Sequence, residues 1–339
     1  MSEYNLFIPQ NTATKDARCI GIYNAQGERV GQIPLGPLTP PNLGKRLYSF
    51  GVLSDVHIQY DTAQDDFQRA LTYTKDEAGV DFVCIAGDLT SDGTDEHLAQ
   101  YKAFVDTYAG NLPVYAVAGN HEAYRGGASL ESVISQYTGL PLYYSFEYGD
   151  DAFVMVGVRG NSEDNLFTDA ELIWLAETLE TYKDKRVFLF QHVRPQDGCG
   201  NALGIYNNDI WGGDEAAEFE RLLRLYPNVI HFHGHSHLKF SLQELDATAN
   251  IDRLYGGWSV HVPSISVPRG PVSSVNLNRV ELYAESEGYV VDVYENGIHL
   301  RGRDFVKGEF LPIASYWLDT TLQTIPAGTY TDSTGTITT

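Results

Sequence analysis

Five short apolar runs, each followed at once by a cluster of Asp, Asn or His, constrain this 339-residue chain more than any other feature. The runs are Phe50–Leu53, Phe82–Ala86, Val114–Ala118, Val187–Phe190 and Val229–Phe232. Four or five residues without a charge is the pattern of a strand buried on both faces of a sheet. A sixth run, Phe153–Val158, fits the same pattern. Helical stretches at about 63–79 and 95–109 separate the first three runs, and a shorter one follows near 128–136. The stretch from Asp169 to Tyr182 is amphipathic, with Leu172, Leu175, Ala176 and Leu179 at helical spacing, and Thr168 with Glu171 makes a capping start for it. Beyond residue 255 the chain turns strand-like, at 280–284, 289–294 and 298–303. An α/β half followed by a mostly β half, within one unit, is the expected organisation.

The ends read differently. Residues 19–23 and 28–33 flank Asn24-Ala25-Gln26-Gly27 as a β-hairpin would, and the proline-rich stretch 34–41 then breaks regular structure. The expected division is a small β-rich appendage and linker at 1–44, a catalytic domain at 45–306, and a docked C-terminal extension at 307–339 whose Thr-rich end is loose.

The residues after the five runs carry the chemistry. They are Asp55 and His57, then Asp88, then Asn120 with His121 and Glu122, then His192, and finally His235 and His237. In open α/β sheets ligands bind beyond the carboxyl ends of the strands, so these side chains are expected on one rim. Imidazoles and carboxylates together suit manganese, iron or zinc, whereas an all-oxygen set favours magnesium or calcium. Two such ions need a shared anionic ligand, and Asp88 is the central candidate. Each residue alone has a blander use: Asp88 as a helix cap, Asn120 at a left-handed turn, and Asp55 and His57 in a capped turn. Their common register at strand ends argues for ligation.

Forty-five acidic residues against 23 basic ones give a formal charge of -22. A field of that sign disfavours nucleic acids and anionic membranes and attracts divalent cations. Cys19, Cys84 and Cys199 have no spacing that suggests a zinc finger or a disulfide framework. No apolar run is long enough to span a bilayer, and the N-terminus lacks the basic and apolar regions of a standard signal peptide, so the default expectation is a cytoplasmic protein.

The motifs D-x-H, G-D, G-N-H-[DE], a single His near a Pro, and G-H-x-H, in this order over residues 49–305, resemble those of the calcineurin-like metallophosphoesterase superfamily. The resemblance implies an α/β fold of four layers, α/β/β/α, with two mixed sheets flanked by helices. It implies that Asp55, His57, Asp88 and His237 bind one metal and that Asp88, Asn120, His192 and His235 bind another. His121 then acts near the leaving group without ligating, and Glu122 orients it. The protein Ser/Thr phosphatases carry Asp-Arg-Gly after Gly-Asp, whereas here Asp88 is followed by Leu89-Thr90-Ser91-Asp92-Gly93. The similarity is to the small-molecule branch of phosphodiesterases and phosphatases.

Other candidates lie outside the motifs. Arg194 and Arg269 are possible anion clamps, with solvated surface residues as the alternative, and His261 is a possible substrate contact. About twenty aperiodic residues after His192, including Tyr206 and Trp211, fit a lid over the site, with Tyr206 a further candidate substrate contact. His231 and His233 are expected to be packed behind the metal residues, and His97 and His299 to be structural or solvated.

The expected reaction is hydrolysis of a small phosphate ester, mono- or diester, by a hydroxide bridging two metals, with His121 protonating the departing alkoxide. A second reading stands beside it. In it the chain is a scaffold or interaction protein, for instance a phage or surface component, that keeps the fold with marginal chemistry.

Overall fold

In a computed structural model of the chain, two six-stranded sheets lie face to face. The structure describes residues 43–320 except 61, 126–129, 161–165, 195–197, 201–212, 247, 254 and 272–278, and the backbone of five short terminal strands. Those are β1 (Asn5–Leu6), β2 (Cys19–Tyr23) and β3 (Arg29–Pro34), which form a three-stranded antiparallel sheet, and the pair β18 (Tyr330–Asp332) and β19 (Gly335–Ile337).

The first large sheet has β4 (Arg46–Leu53) near its middle, with β5 (Phe82–Ile85) and β6 (Val114–Ala116) parallel to it on one side. On the other side β15 (Glu287–Tyr294), β16 (Gly297–Asp304) and β17 (Glu309–Asp319) follow as an antiparallel meander. The second sheet comprises β7 (Tyr143–Tyr148), β8 (Asp151–Val156), β9 (Val187–Gln191), β10 (Val229–His233), β12 (Trp258–His261) and the short β11 (Ile251–Asp252). In it β8, β9, β10 and β12 run parallel, with antiparallel β7 and β11 at the edges. A hairpin of β13 (Arg269–Pro271) and β14 (Arg279–Glu281) stands beside them.

Alternation within the strands builds the layers. Phe50 and Val52 of β4 point between the sheets and meet Phe82, Phe153, Phe188 and Phe232. Phe50 stacks on Phe82 at 5.3 Å, and Phe153 on Phe188 at 4.8 Å. Leu53, Val83 and Ile85 point outward, against Phe67 and Leu71 of α1 (Ala63–Thr72) and Tyr101 of α2 (Asp95–Phe104), and the short α3 (Asn120–Ala123) and α4 (Leu130–Thr138) follow β6. On the far side, α5 (Asp169–Thr181) and α6 (Gly213–Leu225) cover the second sheet through Leu172, Leu175, Phe219 and Leu222. The expected four-layer α/β/β/α sandwich is the architecture observed. The capping start of α5 is formed as expected: Thr168 Oγ1 accepts from Glu171 N at 3.3 Å and Glu171 Oε2 accepts from Thr168 N at 2.8 Å. α1 and α2 each run on into a π-turn, at Tyr73–Glu77 and Val105–Ala109, which completes the two long helical stretches. A boundary at 306 falls inside the first sheet, because β17 pairs with β16 along its length (His299 opposite Trp317).

Away from the strand ends that carry the motifs, one buried group joins the sheets. The Arg186 guanidinium donates to Asp151 at 3.0 and 2.6 Å and to the carbonyls of Tyr294 and Gly297, while Tyr48 donates to Asp151 at 2.6 Å. Among the described residues, no helix is long and apolar enough to cross a membrane.

A second buried acid, Glu287, is only 2% exposed and accepts from Phe240 N at 2.7 Å. Burial pushes its carboxyl up to about 8, with Glu285 and Asp304 adding to the rise. The folded state therefore holds the proton more tightly than the unfolded one, so this carboxyl costs stability increasingly as pH rises from about 4.5 toward 8. Gln keeps the acceptor and loses the charge. The Glu287→Gln variant should gain melting temperature relative to the unchanged protein as pH goes from 5 to 8; a constant difference across that range would mean Glu287 is ionised throughout.

Candidate metal centre

β4, β5 and β6 in one sheet and β9 and β10 in the other point their carboxyl ends at one rim, and the chain turns sharply there. The non-glycine residues with left-handed backbone among those described are Asp55 (φ 52°), His57 (41°), Asp88 (51°), His235 (72°) and His237 (58°). Each such turn costs on the order of 1–3 kcal/mol and persists only where the surroundings impose it. All five are residues singled out from the sequence. Two glycines let the loops close up: a Cβ on Gly87 would lie 2.5 Å from His192 Nδ1, and one on Gly119 would collide with Asp88 Oδ1.

The side chains converge as two groups that share Asp88. Asp55, His57, Asp88 and His237 form one, and Asp88, His192 and His235 the other, with the donor atoms of each within 4.8 Å of one another. His192 Nε2 lies 2.9 Å from Asp88 Oδ2, His237 Nε2 3.0 Å from Asp55 Oδ1, and His57 Nε2 3.6 Å from Asp88 Oδ2. Asn120 joins the second group through its Oδ1, 3.0 Å from His235 Nδ1. Every one of these residues is buried except His235, which is half-buried.

Outer contacts fix the tautomers. A carbonyl only accepts, so His192 Nδ1–H donates to Ala86 O at 2.7 Å and His237 Nδ1–H to Val267 O at 3.0 Å. His57 Nδ1 faces Ser91 Oγ at 3.1 Å. The Nε2 atoms are thereby turned inward, with His57 Nε2 3.1 Å from His237 Nε2, and buried His192 Nε2 makes no hydrogen bond of acceptable geometry. A crowd of nitrogen and oxygen lone pairs with few protons among them suits borderline divalent cations. Burial drives His57 and His235 down to about 3 and also lowers His237, which keeps them neutral. Burial opposes charge on His192 too, but Asp88 and Asp55 outweigh it and push that imidazole up to about 9. Burial would raise Asp55 and Asp88, yet the facing histidines hold both carboxyls low.

His121 sits at the edge of this cluster. Its backbone N donates to Asp88 Oδ1 at 3.0 Å, its Nδ1–H donates to Ser91 O at 2.9 Å, and its Nε2 faces inward 3.9 Å from Asp88 Oδ2. Glu122 does not orient it, contrary to expectation. The Glu122 carboxylate accepts from Gly119 N, Thr90 N and Thr90 Oγ1 at 2.8–2.9 Å and so ties the Asp88 loop to the Asn120 loop. Burial, and then the Asp88 charge, raise its pKa.

The expected substrate contacts fare differently. Arg194 and His261 are fully buried; His261 Nε2 donates to Leu238 O at 2.8 Å, its ring lies 5.7 Å from that of His233, and both side chains pack around Gly200 behind the rim rather than facing solvent. Arg269 is adjacent to the rim, its N donating to His237 O at 2.7 Å, and its guanidinium pairs with Glu281 at 3.2 Å. Tyr206 and Trp211 lie outside the described residues; of the expected lid, Cys199 and Gly200 are seen buried, Cys199 Sγ 3.3 Å from His233 Nε2. His231 and His233 are buried behind the rim as expected, while His97 pairs with Asp92 and His299 stacks on Trp317 at 3.7 Å. Ser91, whose hydroxyl and carbonyl serve two different histidines, was missed.

A four-layer α/β sandwich with a two-lobed His/Asp/Asn cluster at its strand ends is the architecture of a metallophosphoesterase. The calcineurin-like phosphoesterase family model matches residues 48–239, and the chain belongs to that family. It is 26% identical over 166 residues to a probable glycerophosphodiester phosphodiesterase, GpdQ, of Arcobacter nitrofigilis, a match covering 44% of this chain and 56% of that protein. Among solved structures it is similar to purple acid phosphatase PPD1 of yellow lupin (TM-score 0.57, 14% identity), covering 91% of this chain and 62% of that one. It is also similar to GAP50, the anchor in the inner membrane complex of Plasmodium (TM-score 0.56, 15% identity), covering 83% of this chain and 91% of that one. At such identities the two structures speak for the fold alone.

Proposed function

We propose that this chain hydrolyses small-molecule phosphate esters with two transition-type metal ions, manganese, iron or zinc. The observation that carries this is the sharing of Asp88 between two converging donor groups. Asp55, His57, Asp88 and His237 would hold one ion, and Asp88, Asn120, His192 and His235 the other. Bound there, the ions supply positive charge toward phosphoryl oxygens and acidify a water. The rest is the work of side chains. Asn120 contributes an uncharged ligand, which keeps the site from repelling a phosphate dianion. Ser91 O holds the His121 Nδ1 proton, so it is Nε2 that would carry the second proton of the imidazolium form and pass it to the leaving alkoxide. Glu122 keeps the two ligand loops together. The relative named for glycerophosphodiesters makes diesters the first substrates to try, with monoesters beside them. The catalytic unit we propose runs from residue 45 to the end of β17, longer than a boundary at 306, because β17 completes the sheet. The scaffold reading is weaker, since five strained ligand turns have no use in a chain that has lost its chemistry.

The test is elemental analysis after manganese reconstitution together with a hydrolysis screen of mono- and diesters. Two ions per chain and turnover of one ester class are expected; a reconstituted protein without metal, or loaded and inert on both classes, would sink the reading.

Ser91→Ala should show how much the hydroxyl partner of His57 contributes. Removing the partner of His57 Nδ1 should weaken metal binding about 10- to 100-fold, as loss of such outer contacts does. Calorimetric metal titration would read it, and Ser91→Thr should restore the affinity. Equal affinity in the Ala variant would mean that His57 needs no such partner.

A further inference from the structure

Solvent reaches the candidate centre beside His121. Asp55, His57, Asp88, His192 and His237 are buried, whereas the His121 side chain is 25% exposed. Next to that opening stands Tyr124, its ring centroid 4.7 Å from that of His121 and its side chain 48% exposed. Single exposed apolar residues are ordinary on protein surfaces. This one is the end of a row. Tyr60 stacks on His57 at 4.9 Å, and His57 lies 4.8 Å from His121, so four rings cross the rim from Tyr60 to Tyr124. Asn120 Nδ2 donates to the Tyr124 hydroxyl at 3.5 Å, which ties this ring to a residue of the candidate centre. Tyr283, whose hydroxyl donates to Glu281 at 2.6 Å, is likewise 49% exposed.

Charge narrows what such a mouth accepts. Arg125, next in sequence to Tyr124, pairs with Asp95 at 3.0 Å, Arg269, beside His237, pairs with Glu281 at 3.2 Å, and the chain carries a net -22. A substrate with a second anionic group on its organic part meets repulsion there. An uncharged flat ring meets tyrosine.

We propose that Tyr124 binds the organic group of the substrate and that this group carries an aromatic ring, as in aryl-alkyl or nucleoside phosphate esters. The inference rests on the phosphoesterase reading above and deepens it. Stacking on an aromatic side chain is worth about tenfold or more in affinity per ring.

The experiment compares two non-hydrolysable phosphonates of similar bulk, 2-phenylethylphosphonate and 2-cyclohexylethylphosphonate, by calorimetry on manganese-loaded protein. The unchanged protein should bind the phenyl compound about tenfold tighter. Tyr124→Leu, which keeps apolar bulk without the ring, should abolish that preference and leave the cyclohexyl affinity as it was; Tyr124→Phe should keep it. Equal binding of the two by the unchanged protein, or equal weakening of both by the Leu variant, would overturn the aromatic subsite alone. Binding of neither compound would overturn the phosphoesterase reading and this inference with it.

Discussion

Asp88→Asn should abolish turnover more completely than any other single change at the rim. Asp88 belongs to both donor groups, lies 2.9 Å from His192 Nε2 and 3.6 Å from His57 Nε2, and is buried. Its charge is also what outweighs burial at His192. Asn preserves the shape and removes the anion, so under the proposed two-metal reading both ions would lose their shared ligand together. A polarising metal contributes several kcal/mol to such a reaction. At about 1.36 kcal/mol per tenfold in rate, impairing two of them should cost about 10⁴-fold or more. Metal content should fall below two per chain, whereas Asp55→Asn should weaken one ion preferentially. The measurements are single-turnover rates and elemental analysis on both variants. Near-normal turnover in Asp88→Asn beside a crippled Asp55→Asn would show that Asp88 does not bridge.

The strand ends were legible because parallel strands buried on both faces read as continuous apolar runs, so the first polar residues after them stand out. That logic located Asp55, His57, Asp88, Asn120, His192, His235 and His237 on one rim without any knowledge of packing. It could not say what lies behind the rim. Arg194 follows His192 by two residues, yet it ends fully buried, packed with His233 and His261 around Gly200, and residue type gives no sign of that packing. Glu122 adjoins His121 in sequence, but neighbours on a helical turn point about 100° apart. It therefore faces Gly119 and Thr90 instead. Ser91 holds His121 through a carbonyl, and a backbone atom leaves no mark in residue type. β17 did leave a mark: Ala314, Tyr316 and Leu318 are buried at alternate positions. Its aromatic content drew it toward a docked extension, although alternation of that kind belongs to an edge strand.

His121→Ala should slow esters of ordinary alcohols by roughly 10²–10⁴, the usual size of general acid catalysis. The geometry gives the reason. His121 Nδ1–H is committed to Ser91 O at 2.9 Å, so only Nε2 can exchange a proton with substrate, and it sits on the inward side, 3.9 Å from Asp88 Oδ2. That ring belongs to neither converging donor group, so its loss should leave the metal content unchanged. An alkoxide is a poor leaving group and needs the proton as the P–O bond breaks. A p-nitrophenolate departs as a stable anion and needs it far less. The variant should therefore keep most of its rate on p-nitrophenyl esters while losing alkyl esters. A His121→Gln variant, which can hydrogen-bond but cannot transfer the proton, should behave like Ala. Equal slowing of both ester types would assign His121 to positioning the phosphate, and loss of one metal ion would assign it to ligation; either result removes the proton donor from the mechanism.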